Sequence, residues 1–332
     1  TTYEAGGAAA HDSLERAREA VRAVTRGLRR GTEATGVEVT QILCLIDGRP
    51  EWAAAVLELA REFRFEGPNQ AKLGSVVGID IAAGEAHFAA ERDEEARRIP
   101  DQTEDALALA PESGGGAQPP PNGTVHRAAL RRCAALGIPV TIHAGESGPA
   151  ENVLRSTAAG YGGATRIGHG YALVEALSAE ARTDPQAAAR ELSAMGLPKG
   201  VHFECCPTSS VATNGFSGRR WRDHPAAILG RLRLTAQAAG DATSAAAIPT
   251  ISINSDDPSV FRVSLTDELQ LAASSWAGLG LGLAGAAACT RSAVSASFLC
   301  PEAKSRLEAR VEAALRYWEK SSGASSTGAL AT

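Results

Sequence analysis

His143-Ala-Gly-Glu146 places an imidazole and a carboxyl group three residues apart where an apolar run turns. A neutral imidazole is a zinc donor, and a carboxyl group beside it can move protons for a metal-activated water. The same tetrapeptide also suits a buried His followed by a helix-starting Glu. Further on, Arg166-Ile-Gly-His-Gly170 sets His169 between two glycines, which let backbone or ligand come close. Alone, that His reads as structural. The most unusual element is Asn254-Ser-Asp-Asp-Pro258, in which two adjacent carboxylates end an apolar run. They repel each other unless a cation or a hydrogen-bond donor is near, so one can face a metal and the other a substrate. A helix-capping turn is the plainer alternative.

These residues need elements that bring them together. Six apolar runs recur along the chain: Val39 to Asp47, Ser75 to Ala82, Pro139 to Glu146, Ala164 to Gly170, Gly200 to Pro207 and Pro249 to Pro258. Runs apolar on both faces, separated by Ala- and Glu-rich stretches long enough for helices, predict a parallel sheet of βα units. Helices are expected over 51–65, 125–136, 151–157, 172–195 and 224–239. Asp47, Asp80, His143 with Glu146, His169, Cys206, and Asp256 with Asp257 all fall at the carboxyl end of their run. A (β/α)₈ barrel builds its site on that end, whereas a doubly wound sheet concentrates chemistry at one or two loops. The pattern therefore predicts an α/β fold of the TIM-type (β/α)₈ barrel class. The six runs are expected to be strands 3 to 8, with strands 1 and 2 missing; the chain opens Thr1-Thr2-Tyr3-Glu4, without an initiator Met. Before the first run, Asp12 and Glu15 read as a capping box for a helix carrying Leu14, Ala17, Val21, Val24 and Leu28, broken by Gly31 and Gly36.

The expected organisation is one domain over 1–320, a disordered Gly- and Pro-rich insertion around 91–122, and a flexible tail at 321–332. With 332 residues, 44% of them hydrophobic, the chain can bury a sizeable core. A net charge of −5 offers no field that would attract nucleic acid or an anionic membrane, so a small molecule is the expected partner. No apolar run reaches the roughly 18 residues a membrane span needs. Six cysteines without a CxxC pair read as reduced, mostly buried thiols, which suits a cytoplasmic location. Cys205 and Cys206 are adjacent, a poor spacing for chelating one ion, and read as packing. Gly280-Leu-Gly-Leu-Ala-Gly285 matches a dinucleotide-binding spacing but follows no strand, and reads as a helix junction.

Taken in order, His-Ala-Gly-Glu, Arg-Ile-Gly-His-Gly, Cys-Pro-Thr-Ser, Ser-Ile-Asn-Ser-Asp-Asp-Pro and Ser264-Leu-Thr-Asp-Glu268 closely resemble the adenosine deaminase family of metal-dependent barrel hydrolases. The resemblance runs from about Leu14 to about Leu315. It implies hydrolytic deamination of adenosine and 2′-deoxyadenosine to inosine products and ammonia, by a zinc-bound hydroxide attacking purine C6. It implies that His143 and Asp256 ligate one zinc ion per chain. Glu146 would protonate purine N1, His169 would orient and deprotonate the metal-bound water, Asp256 would also hold the hydroxide, and Asp257 would hydrogen-bond N7. The family's His-x-His pair, a source of two more ligands, does not occur in this sequence, which leaves an inactive relative of the same family as the alternative. Ala83, followed by Gly84, stands where the family has a glycine whose N–H approaches purine N3. Relatives acting on free adenine tend to have Asp where Gly168 stands, and those acting on AMP usually have Cys where Ala144 stands. The resemblance thus favours a purine nucleoside as substrate over adenine or AMP.

Overall fold

The computed structural model describes residues 8–46, 49, 52–83, 85, 122–158, 163–275 and 277–321. Asp47, Gly84, the stretch 91–121 and the residues after 321 lie outside them, as do the expectations that fall there.

All six apolar runs form strands: β1 (Gln41–Ile46), β2 (Val76–Ala82), β3 (Val140–Ala144), β4 (Arg166–His169), β5 (His202–Cys205) and β6 (Thr250–Ile253). Their order in the sheet is their order in sequence, and the registered neighbours are parallel. A doubly wound sheet reverses strand order at a switch point, whereas a (β/α)₈ barrel never does. The fold is therefore the expected α/β arrangement of barrel type. Consecutive residues of β2, Val76, Val77, Gly78 and Ile79, are all buried, as strands covered on both faces require.

The helices are α1 (Ala8–Thr35), α2 (Ala53–Phe63), α3 (Asn122–Ala135), α4 (Ala150–Thr157), α5 (Tyr171–Glu175), α6 (Pro185–Ala194), α7 (Pro207–Ala212), α8 (Pro225–Ala238), α9 (Ala242–Ala247), α10 (Pro258–Phe261), α11 (Leu265–Ala273), α12 (Gly282–Ala296) and α13 (Pro301–Ser321). Two expectations are corrected. α1 starts ahead of Asp12, so Asp12 and Glu15 lie inside the helix rather than at its start. It also runs through Gly31 and ends at Gly36, whose φ of +71° closes it with a hydrogen bond to Thr32 O at 2.8 Å. One glycine costs a helix about 1 kcal/mol, which a helix of 28 residues absorbs. The single helix expected over 172–195 is instead α5, which ends at Glu175, and α6, which Pro185 starts with Asp184 as its cap.

The chain packs as two compact units. The first contains the described residues through Ile142 together with Phe298–Ala303; the second contains the other described residues, from the carboxyl end of β3 onward. In the first, β1 and β2 pair along their whole length, with Cys44 opposite Asp80, and Arg64 ties α2 to the α3–β3 turn through Leu136 O and Gly137 O. In the second, β5 and β6 are fastened by His202, whose two ring nitrogens lie 2.9 Å from Thr250 Oγ1 and 2.9 Å from Ser252 Oγ. No helix among the described residues is long and apolar enough to cross a membrane.

Candidate active site

Four successive βα units of the second unit deliver polar side chains at their carboxyl ends. β3 ends with His143, and the turn after it carries Glu146, half-buried at 23% side-chain exposure. β4 ends with His169, 2% exposed. β5 leads to Cys206, 6% exposed, and β6 to Asp256 and Asp257, both exposed.

His169 is the hub. Its Nε2 stands 3.5 Å from Glu146 Oε2, and its ring packs edge-on to that of His143 with centroids 5.1 Å apart. That contact explains one of the flanking glycines, because a Cβ at Gly168 would fall 2.9 Å from His143 Cγ. Burial pushes the His169 imidazole below the usual histidine range; the Glu146 carboxylate pulls it back up and His143 pushes it further down. The direction is downward, so His169 is a neutral base near pH 7. Its Nδ1 is buried with no hydrogen-bond partner among the described residues.

His169, Cys206 and Asp256 each offer a donor atom within 4.8 Å of the others. Imidazole nitrogen, sulfur and carboxylate oxygen are all zinc donors, and a partnerless buried ring nitrogen is what an occupied metal or water position would relieve. The residues therefore fit a zinc ion. His143, the other expected ligand, lies one ring away, against His169. The sequence reading set both cysteines aside as packing. Cys205 is fully buried, whereas Cys206 joins the donor group.

Backbone strain marks the same places. His169 has φ +68° and Asp256 φ +54°, both in the left-handed region that costs a non-glycine residue roughly 1–2 kcal/mol. Ala83, at the end of β2 in the first unit, has φ +74°. A glycine, which the family resemblance places there, would adopt this conformation without strain. Asp257 precedes α10 but makes no side-chain capping bond, so its carboxylate does not serve the helix it begins.

Several residues that hold these groups escaped the sequence reading. Ser209 donates to Asp256 Oδ2 at 2.6 Å, and Thr213 donates to Glu146 Oε1 at 2.8 Å. Tyr171 accepts the Cys206 N–H at 2.8 Å, and Glu268 Oε1 accepts the Thr208 N–H at 3.1 Å. Gly215 passes so close to Glu146 that a Cβ there would lie 2.9 Å from its Cγ.

A barrel-type α/β fold with imidazole and carboxyl groups gathered at the carboxyl ends of its strands is an arrangement on which barrel enzymes build metal-assisted chemistry. The family model described as Adenosine deaminase matches residues 77–314, and the chain belongs to the adenosine deaminase family. It is 29% identical over 255 residues to the adenosine deaminase of Xenopus tropicalis, covering 77% of this chain and 52% of that protein. It is 28% identical over 300 residues to the adenosine deaminase of Enterococcus faecalis, covering 90% of this chain and 66% of that one. The chain thus spans about half to two thirds of the length of these relatives. Among solved structures it resembles an amidohydrolase from Burkhoderia ambifaria with bound Zn, at TM-score 0.57 and 18% identity, covering 90% of this chain and 63% of that one. That likeness concerns the fold.

Proposed function

We propose that this chain carries the proton-handling side of an enzyme that hydrolyses adenosine and 2′-deoxyadenosine with water to inosine or 2′-deoxyinosine and ammonia. The observation that carries the reading is the linked set Glu146, His169, Cys206 and Asp256, brought from four successive strand ends to one place. One zinc ion per chain would be held by His143 and Asp256, with the donor atoms of His169 and Cys206 beside them. When bound, that ion supplies Lewis acidity that makes hydroxide available near neutral pH.

The residues divide the remaining work. Glu146 delivers a proton to N1 of the purine, and Thr213 keeps its carboxyl group in place. His169, neutral because it is buried, takes the proton given up by the attacking water. Asp257, not engaged in capping, hydrogen-bonds N7. A nucleoside is favoured over free adenine because Gly168 has no room for the Asp that adenine-acting relatives tend to carry; any side chain there meets the His143 ring.

The test is direct. Purified protein is loaded with zinc, its metal content is measured by elemental analysis, and adenosine, adenine and AMP are each followed by absorbance loss and ammonia release. Conversion of adenosine at least about tenfold faster than of the other two supports the reading. Preference for adenine or AMP would move the substrate assignment, and zinc uptake without any turnover would favour a non-catalytic member of the family.

A further inference from the structure

The segment Ser264-Leu-Thr-Asp-Glu268 has no role in the chemistry above, yet it ends in a carboxyl group with no exposed surface. Glu268 sits in the first turn of α11, whose start is fixed by a capping box: Ser264 Oγ accepts the Asp267 N–H, and Asp267 Oδ2 accepts the Ser264 N–H at 2.8 Å. A carboxyl group is expensive to bury, and helices do not require one there. Its Oε1 accepts the Thr208 N–H at 3.1 Å, 60 residues away in sequence, while its Oε2 has no hydrogen-bond partner among the described residues.

Thr208 lies in the first turn of α7, a helix of six residues. So short a helix is not stable by its own propensity, and the N–H groups of its first turn need outside acceptors. Two are supplied across the fold: Tyr171 Oη takes the Cys206 N–H and Glu268 takes the Thr208 N–H. A third tie is the 2.9 Å contact between Ser210 Oγ and the Nε2 atom of the buried His224. Ser209 stands between these anchors and donates to Asp256 Oδ2 at 2.6 Å. Asp256 itself has a left-handed backbone, so its carboxylate position depends on what surrounds it.

We propose that Glu268 is a positioning residue for Asp256: by holding the first turn of α7 it aims the Ser209 hydroxyl at the Asp256 carboxylate. Its use in metal binding rests on the reading of Asp256 as a metal-facing carboxylate. Groups that orient a ligating carboxylate typically change metal affinity 10- to 100-fold. Glu268 acts through Ser209, so removing either should have the same effect and removing both should add little.

The experiment measures two things on the full chain and on its Glu268→Gln, Glu268→Asp, Glu268→Ala, Ser209→Ala and Glu268→Ala/Ser209→Ala variants. One is amide hydrogen exchange at Thr208–Thr213, and the other is affinity for Co(II). Glu268→Ala should speed exchange in that turn and weaken Co(II) binding about tenfold or more. Glu268→Gln, which keeps an acceptor for Thr208, should restore both. Glu268→Asp, too short to reach, should resemble Glu268→Ala and serves in its place if that variant does not fold. The double variant should bind Co(II) no worse than the weaker single one. Unchanged exchange at Thr208–Thr213 would overturn the proposal, as would losses that multiply in the double variant. If wild-type protein binds no Co(II), the metal reading of Asp256 falls, while exchange still decides whether Glu268 holds the turn.

Discussion

The imidazole Nε2 of His169 lies 3.5 Å from Oε2 of Glu146, while Thr213 holds the other oxygen of that carboxyl group at 2.8 Å. One oxygen is thus fixed and the other is turned toward the base. Glu146→Gln keeps the size of the group and removes its acidic proton. Turnover of adenosine should fall about 100-fold or more, the usual range for loss of a general acid, while zinc content by elemental analysis stays at the wild-type level. Normal turnover in that variant would move the proton donor elsewhere.

The metal reading makes the opposite prediction for Asp256→Ala. This change removes a donor from the His169, Cys206 and Asp256 group. Zinc content and activity should be lost together, because the change removes one of the two expected ligands and the carboxylate of the donor group. Retention of stoichiometric zinc would place the ion on other residues. The variant should stay folded, since the side chain is exposed and the added cost of Ala in place of Asp at φ +54° is about 1 kcal/mol.

Gly168 tests the packing beneath the site. A methyl group there would come within 2.9 Å of the His143 ring, closer than side-chain carbons approach one another, and the neighbouring atoms are ring atoms of the same residue. Gly168→Ala should therefore displace His143 and lower kcat by about tenfold or more, with a smaller effect on the unfolding midpoint. An unchanged kcat would mean that His143 has no position to defend.

The six strands were legible because burial on both faces leaves an unbroken apolar run, and the polar residue that ends each run marked the end that carries chemistry. Glu146, His169 and Asp256 were legible for the same reason. What held them was not. Ser209 and Thr213 meet their carboxylates across 47 and 67 residues of sequence, and nothing local to a Ser or Thr in a short helix announces such a partner. Cys206 was read by its neighbour in sequence, Cys205, although alternation along the chain end sends the two thiols into different surroundings: Cys205 next to Cys289, Cys206 next to Asp256. At the amino end, Asp12 looked like a cap because caps are read from local spacing, while α1 begins ahead of it.

Ala83 offers a stability test in the first unit. Its φ of +74° is costly for a residue with a Cβ and free for glycine. Ala83→Gly relieves that strain and pays back part of it in a more flexible unfolded chain, leaving a net gain of about 1 kcal/mol in urea unfolding. A loss of stability would show that the left-handed conformation is not retained in solution.

Two buried histidines, besides His169, contribute to the response to acid. Burial depresses both His202 and His224 to about 3, His202 with help from Arg166 and Arg233 and His224 with help from His169. Both are therefore neutral in the folded chain, while in the unfolded chain they take up protons near pH 6.5. Below that pH the unfolded state binds more protons, so their contribution is fully present above about pH 6.5 and is lost as pH falls toward 3. Each costs about 2 kcal/mol between pH 7 and pH 5. Glu175 and Glu268 work the other way, since burial raises their carboxyl groups and favours the folded state at lower pH. The net slope is thus smaller than the histidines alone would give, and a difference measurement isolates them. Urea unfolding at pH 7.5 and pH 5.0 should show a clear loss of stability on acidification for the wild type. His224→Asn, which can still accept the Ala226 N–H but does not reach Ser210, should be less stable at pH 7.5 but lose about 2 kcal/mol less on going to pH 5.0. Equal losses in the two proteins would mean that His224 is protonated in the folded chain.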